Sequence, residues 1–535
     1  MAESITDQMR DPNTPDDVMI RSQPRVPVTD PTLGIPVNVN RQGTPRHRLV
    51  TIGDSLTQGF QNAAIFNTNL SCPMMIAWEM GWDEQFRHPL PYGGLGGLPL
   101  NLEYFSRRLE REFGDRVDWW ELGSAVFAIR QFMDEVEDYW ERGRGSITPN
   151  TIGINHNLAI YGWKLGDIIT RNADICQAAI QQPTDNLFRQ IVENANERAA
   201  LRVLNSARDQ QNQALTPVEA AAALGADGTQ ENGEGDGIET LIILIGANNA
   251  LGSVSQLKVV WSDEGYDDLD QANQYTVWRP IHFKDQLDKV VKEVKKIRAR
   301  HVIWATVPHV TIAPIARGVS SKVTPGSRYF PYYTRPWISD KDFDPKDDPN
   351  ITAQQARAID SAIDQYNNYI VDTVKDARHQ GHDWYVFEMS GLLDRLASRR
   401  YIEDPQSRPD WWTKYELPPE LQMLSPVPDS RFFVSDRTGR VSGGLFSLDG
   451  IHPTTIGYGL MAQELITIMQ LAGVKFYLGD GTSERSGPVR VDFRRLIDLD
   501  TLISDPPRSL SSNLEWLGWL DQNLGIFQRL LRIGN

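Results

Sequence analysis

Residues 49–59 read Leu49-Val50-Thr51-Ile52-Gly53-Asp54-Ser55-Leu56-Thr57-Gln58-Gly59. The run Leu49 to Ile52 is short, apolar and closed by turn residues, the pattern of a buried strand. Four more runs follow it: Leu158 to Tyr161, Leu241 to Ile245, Val302 to Val307 and Trp384 to Phe387. Between the last three lie two amphipathic helical patterns. One places Phe283, Leu287, Val290, Val294 and Ile297 on a face, and the other Ile359, Ile363, Tyr366 and Ile370. Strands alternating with helices imply a parallel sheet with right-handed crossovers, and ligands then bind beyond the carboxyl ends of the strands. The expected fold is α/β, a three-layer α/β/α sandwich with a mainly parallel sheet and large insertions.

A chain of 535 residues is long for one domain, and one enlarged domain or two ordinary ones both fit that length. Residues 1–45 carry Pro12, Pro15, Pro24, Pro27, Pro31 and Pro36 without an apolar period, which predicts an extended or disordered arm. The body is expected over 46–475, with insertions around 185–237, 320–350 and 401–444. A C-terminal extension over 476–535 carries an amphipathic helix, with Leu517, Leu520, Leu524, Phe527 and Leu531 as its stripe. Packing on the body, a homodimer contact and membrane attachment are the three ways to bury that stripe, taken in that order.

The formal net charge is −16, and the basic cluster Lys289 to Arg300 falls on the solvated face of a helical pattern, which argues against a nucleic-acid partner. Cys72 and Cys176 are too few for a disulfide framework and lack zinc-ligand spacing, so both are expected as buried thiols. Met1 to Asp30 has no apolar core of a secretory signal, and no run of eighteen apolar residues marks a spanning helix. A soluble, cytoplasmic protein is the expectation, with release by another route as the alternative.

Ser55 stands just past the carboxyl end of the first strand. Taken alone, serine and glycine after a strand make an ordinary strand-to-helix turn. Far along the chain, Leu448-Asp449-Gly450-Ile451-His452-Pro453 precedes an apolar helix through Leu460, Leu465 and Met469. Aspartate and histidine three apart can meet across one turn. The carboxylate then fixes the imidazole tautomer while the other ring nitrogen faces a serine hydroxyl. Taken alone, His452 is better read as a cap for that helix.

Four ordered blocks resemble the GDSL or SGNH hydrolase family of esterases, lipases and deacetylases. They are Gly53-Asp54-Ser55-Leu56, Asn157-Leu158-Ala159-Ile160-Tyr161-Gly162, Gly246-Ala247-Asn248-Asn249 and Asp449-Gly450-Ile451-His452-Pro453. The resemblance implies a flavodoxin-like sheet and a Ser55, His452, Asp449 triad. It also implies an oxyanion hole from the Ser55 and Gly162 backbone N–H groups and the Asn248 side-chain amide, with no cofactor or metal. One departure concerns Asn249, where the family often has aspartate, and it bears on the support behind Asn248.

The function this implies is hydrolysis of a small-molecule or lipid carboxylic ester through an acyl-enzyme. The alternatives are O-deacetylation of a carbohydrate on the same machinery and a non-catalytic interaction protein that kept the fold. The aromatic insertion Tyr329, Phe330, Tyr332, Tyr333 and Trp337 would serve acyl chains or sugars equally. His309 follows the strand ending at Val307 and could line the site, but Pro308-His309 is equally a loop exit with a solvated histidine, the reading preferred here, and His156 and His282 read as structural. Asp340, Asp342 and Asp344 alternate as calcium ligands do, but Pro345 and the absence of a glutamate at the twelfth position make them a solvated acidic loop.

Overall fold

The computed structural model describes residues 9–39, 43–89, 94–114, 122–149, 151–181, 192–227, 237–269, 271–479, 481–508 and 518. Its centre is a sheet of four parallel strands, β1 (His47–Gly53), β2 (Ile238–Leu244), β3 (Ala299–Ala305) and β4 (Trp384–Phe387), adjacent in that order. Side chains alternate across each strand, so two apolar faces result. Val50, Ile243, Trp304 and Val386 belong to one core cluster, and Leu49, Ile242, Ile303 and Phe387 to the other.

Helices cover both faces. The apolar stripes of Pro280–Val294 and Ala353–His379 join the first cluster through Phe283, Leu287, Ile359, Ile363 and Tyr366. Cys72–Glu79 and Thr455–Ala472 join the second through Met75, Ile76, Leu460, Leu465 and Met469. These are the α/β layers expected from strand and helix periodicity, and the basic face of Pro280–Val294 is exposed at Lys289 and Lys292.

The run Leu158 to Tyr161 differs from expectation. It lies parallel beside β1, with Leu158 N–H donating to Thr51 O (2.8 Å) and Ile160 N–H to Gly53 O (3.1 Å), but it forms only an isolated bridge rather than a regular strand. Side chains replace part of the ladder, since the Tyr161 N–H donates to Gln58 Oε1 (2.7 Å) and the Ala159 N–H to Asn157 Oδ1 (3.2 Å). The chain therefore runs from β1 to the segment on its outer side and then back to β2 on its inner side. That reversal creates a crevice at the carboxyl end of β1, where ligands bind in open α/β sheets.

The N-terminal arm is extended but, over residues 9–39, not disordered. Val18 and Ile20 enter the first core cluster. Met19 N–H donates to Gln365 Oε1 (2.8 Å), and Arg25 holds Glu388 with two nitrogens at 2.9 and 3.0 Å. The arm has no apolar period because it takes no regular structure, and long-range partners order it instead.

The insertions fold onto the body. Arg317–Gly318, Tyr332–Thr334 and Ile351–Thr352 make a small antiparallel sheet, and Val434–Asp436 pairs with Gly439–Ser442. Both cysteines are buried and free. Asp340 pairs with Arg317 at 2.5 Å, while Asp342 and Asp344 are exposed and accept from Ser339 and Lys346. Beyond Thr455–Ala472, Phe493 and Leu496 extend the second core cluster. The C-terminal stripe from Leu517 to Leu531 lies outside the described residues, as does most of the glycine-rich loop near 228–236. No helix among the described residues is long and apolar enough to cross a membrane.

Candidate active site

Ser55 opens a one-turn helix, Ser55–Gln58, directly after β1. Asp54 caps it, its Oδ1 accepting from the Leu56 N–H at 3.1 Å. The Ser55 N–H stands in the first turn, where backbone donors have no intrahelical acceptor. Gly53 is required by close approach, because a Cβ there would meet Thr57 Oγ1 at 2.3 Å and Leu244 O at 2.5 Å.

The loop before Thr455–Ala472 brings the remaining groups to Ser55. Ser55 Oγ and His452 Nε2 are 2.8 Å apart, and His452 Nδ1 is 2.9 Å from Asp449 Oδ2. Asp449 is fully buried and takes further hydrogen bonds from the N–H groups of Ala63 (2.9 Å), Ile451 (2.8 Å) and His452 (2.8 Å). Burial by itself would raise its proton affinity. The opposing charge and hydrogen bond of His452, with the two backbone donors, outweigh burial and hold the carboxyl below the ordinary range. Asp449 is therefore a fixed anion behind the imidazole.

Asn248 begins the helix Asn248–Ser255 after β2 and lines the same pocket as Ser55 and His452. Its Nδ2 donates to Trp163 O at 2.8 Å, which uses one of the two amide N–H groups. Gly162 is one residue from that carbonyl and has φ +77°, a conformation open to glycine. It lines a second, more polar cavity with Lys164 and Trp278 rather than the pocket at Ser55. Asn249 Oδ1 accepts from the Leu165 N–H (3.0 Å), so the amide in place of the expected carboxylate still pins the turn that carries Gly162 and Trp163.

The pocket at Ser55 encloses about 110 Å³ and is walled almost wholly by apolar side chains, among them Leu251, Val310, Leu392, Leu396, Phe446 and Leu460. These come from the segments that follow β2, β3 and β4, from the chain just after the 401–444 insertion and from Thr455–Ala472, while Ser55 and Leu56 follow β1. The aromatic residues of the 320–350 insertion do not line it. Tyr329 and Tyr333 are buried in the first core cluster, where guanidinium groups of Arg357 and Arg328 stand over the Tyr329 ring at 4.6 and 5.1 Å.

His309 corrects the sequence reading. It is buried, with Nε2 3.1 Å from Asp364 Oδ1 and Nδ1 3.3 Å from Asp394 Oδ1. Burial opposes its charge, but Asp394, Asp360 and Asp364 more than offset this and push its pKa up to about 10. It is a buried imidazolium that ties two helices together and itself lines the pocket at Ser55, and a Pro-His loop exit carries no trace of those distant carboxylates. His156 is structural as expected, its Nδ1 accepting from the Arg87 N–H (2.9 Å) and its Nε2 2.9 Å from His47 Nδ1, and His282 is 2.8 Å from Ser262 Oγ.

Three contributors to the site have no signature in the sequence. The Phe60 ring lies 4.5 Å from the His452 ring. The Tyr458 hydroxyl donates to Phe60 O at 2.6 Å. Asn62 joins the two halves of the site, its Oδ1 accepting from the Leu448 N–H (3.0 Å) and its N–H donating to Ser447 Oγ (3.0 Å). Compared with models of known protein families, the chain matches none, and no curated protein matches it significantly.

Asp54 carries an energetic consequence. It is wholly buried, Oδ2 has no hydrogen-bond partner, and burial pushes its pKa up from 3.8 to about 7. The unfolded carboxyl ionises at its ordinary value. Stability from this group is therefore fully present below that value and is lost as pH rises through about 7. Asp54→Asn should raise the melting temperature at pH 8 and give no gain near pH 4, where the native side chain is already neutral. Thermal denaturation at the two pH values checks this, and a gain equal at both would mean that buried charge is not its cause.

Proposed function

We propose that the protein is a serine hydrolase of the GDSL/SGNH kind, on a flavodoxin-like sheet, that cleaves carboxylic esters through an acyl-enzyme. The observation that carries this reading is the continuous chain Ser55 Oγ, His452 and Asp449, with contacts of 2.8 and 2.9 Å at the carboxyl end of β1. His452 Nε2 takes the Ser55 proton as Oγ attacks the ester carbonyl, and Asp449 holds the ring and stabilises the imidazolium. The tetrahedral oxyanion is received by the Ser55 N–H and the second Asn248 amide N–H, and the family resemblance adds the Gly162 N–H, whose turn Asn248 holds through Trp163 O although Gly162 itself lines the neighbouring cavity. His452 then returns its proton to the departing alcohol. Water, activated by the same imidazole, releases the acid and restores Ser55.

The apolar pocket favours an acyl chain over the single methyl of an acetylated sugar. Burying a methylene is worth ~0.8 kcal/mol, so kcat/KM should rise about three- to fourfold per added methylene from acetyl onward until the pocket is filled. A panel of p-nitrophenyl esters from acetyl to palmitoyl tests this, alongside covalent labelling by a fluorophosphonate. A specificity that falls from acetyl onward would favour deacetylation. Failure to label at all would favour a non-catalytic binding role.

A further inference from the structure

A third cavity, of about 320 Å³, lies behind the apolar pocket. The segment 310–313 separates them, with Val310 and Ala313 facing the pocket and Thr311 and Ile312 facing the cavity, and Leu396 and Ala397 divide in the same way. Arg317, Arg328, Arg399, Arg400 and Arg431 line this cavity, and no carboxylate does. In a chain of net charge −16 this concentration of cations is not a sampling of the average surface.

Three of the five are offset by acids outside the cavity. Arg317 pairs with Asp340, Arg400 with Asp360, and Arg431 with Asp429. Arg399 makes no such pair, since its Nη1 donates to the Gly318 carbonyl at 2.8 Å and its guanidinium stands 4.8 Å over the Phe330 ring. Burial, and next the charge of Arg317, lower its proton affinity and outweigh the more distant charges of Glu403 and Asp340. Arg328 is 5% exposed, with its guanidinium 5.1 Å over the Tyr329 ring and beside the Tyr401 hydroxyl, its nearest hydrogen-bonding neighbour. Burial opposes its charge, and Tyr329, Tyr401, Asp360 and Asp364, in that order, more than offset this without forming an ion pair with it.

We propose that this cavity is a binding site for a small oxyanion, a carboxylate or phosphate carried on a partly apolar body. The arginines provide the forked donors that such groups accept, and Ser398, Ser430 and Ser442 add neutral ones. Phe330, Tyr333 and Phe432 line the rest and suit the apolar part. The site is distinct from Ser55 and does not depend on the hydrolase reading.

Calorimetric titration of the full chain with inorganic phosphate and with benzoate, at constant ionic strength, tests the proposal. Saturable binding of either probe supports it, phosphate alone assigning a phosphate ligand and benzoate alone a carboxylate. Arg399→Gln should weaken that binding at least ~tenfold, because a charge-assisted hydrogen bond is lost while the half-buried side chain leaves no orphaned acid. Arg328→Gln should do the same where it folds, and Arg399→Gln decides the matter where it does not. Protein with Ser55 blocked by a fluorophosphonate should bind as the free protein does. Absence of saturable binding by both probes, equal affinity in Arg399→Gln, or loss of binding on blocking Ser55 would each overturn the assignment.

Discussion

Alanine at Ser55 should abolish fluorophosphonate labelling and lower the turnover of p-nitrophenyl esters by a factor on the order of 10⁶, because the hydroxyl, the imidazole and the carboxylate act as one unit. The fold should persist. Ser55 is a small side chain at the first position of a short helix whose cap is Asp54, and its removal leaves the Asp449 and His452 contacts in place. Circular dichroism and the melting temperature of the variant separate loss of chemistry from loss of structure. A folded variant with near-normal hydrolysis would remove Ser55 as nucleophile. Should labelling fail in the parent protein as well, the whole catalytic reading goes with it.

Asparagine at Asp449 should lower kcat by about 10⁴ with little change in KM. The loss follows from who donates to the carboxylate. Oδ2 accepts from His452 Nδ1 and from the Ala63 N–H, and Oδ1 from the N–H groups of Ile451 and His452. An amide has one acceptor oxygen. Whichever way it is placed, its NH₂ faces donors, and in the orientation that keeps the two backbone bonds at Oδ1 it faces His452 Nδ1 and favours the wrong tautomer for Nε2 to receive a proton. Single-turnover kinetics with a chromogenic ester would register the change, and a loss below about tenfold would leave Asp449 with a structural role only.

Much of this site is legible in the chain because its parts are local. A strand ends at Gly53 and a helix starts at Ser55, so the position of the serine follows from a short continuous apolar run meeting a turn. Asp449 and His452 meet across one turn, which spacing alone anticipates. Asn248 starts a helix after a strand in the same way. Contacts made across hundreds of residues have no such trace. Ala63 and Asp449 are 386 residues apart, and nothing in the composition around Asn62 indicates that it would tie the serine loop to the histidine loop. His309 was misread for the same reason, since its partners Asp364 and Asp394 come from two different helices.

The sequence by itself determined the parallel α/β layout, the faces of the two covering helices and the identity of the residues around Ser55, because hydrophobic period and helix-start chemistry are properties of neighbours along the chain. Tertiary structure decided the rest. It ordered an arm without period by docking Val18 and Ile20 into the core, and it buried the aromatic insertion under guanidinium groups, away from Ser55. It also gathered arginines from separate segments around one cavity. The direction of a side chain on an irregular segment is set by what packs against it, and that information lies in the fold as a whole rather than in any stretch of residues.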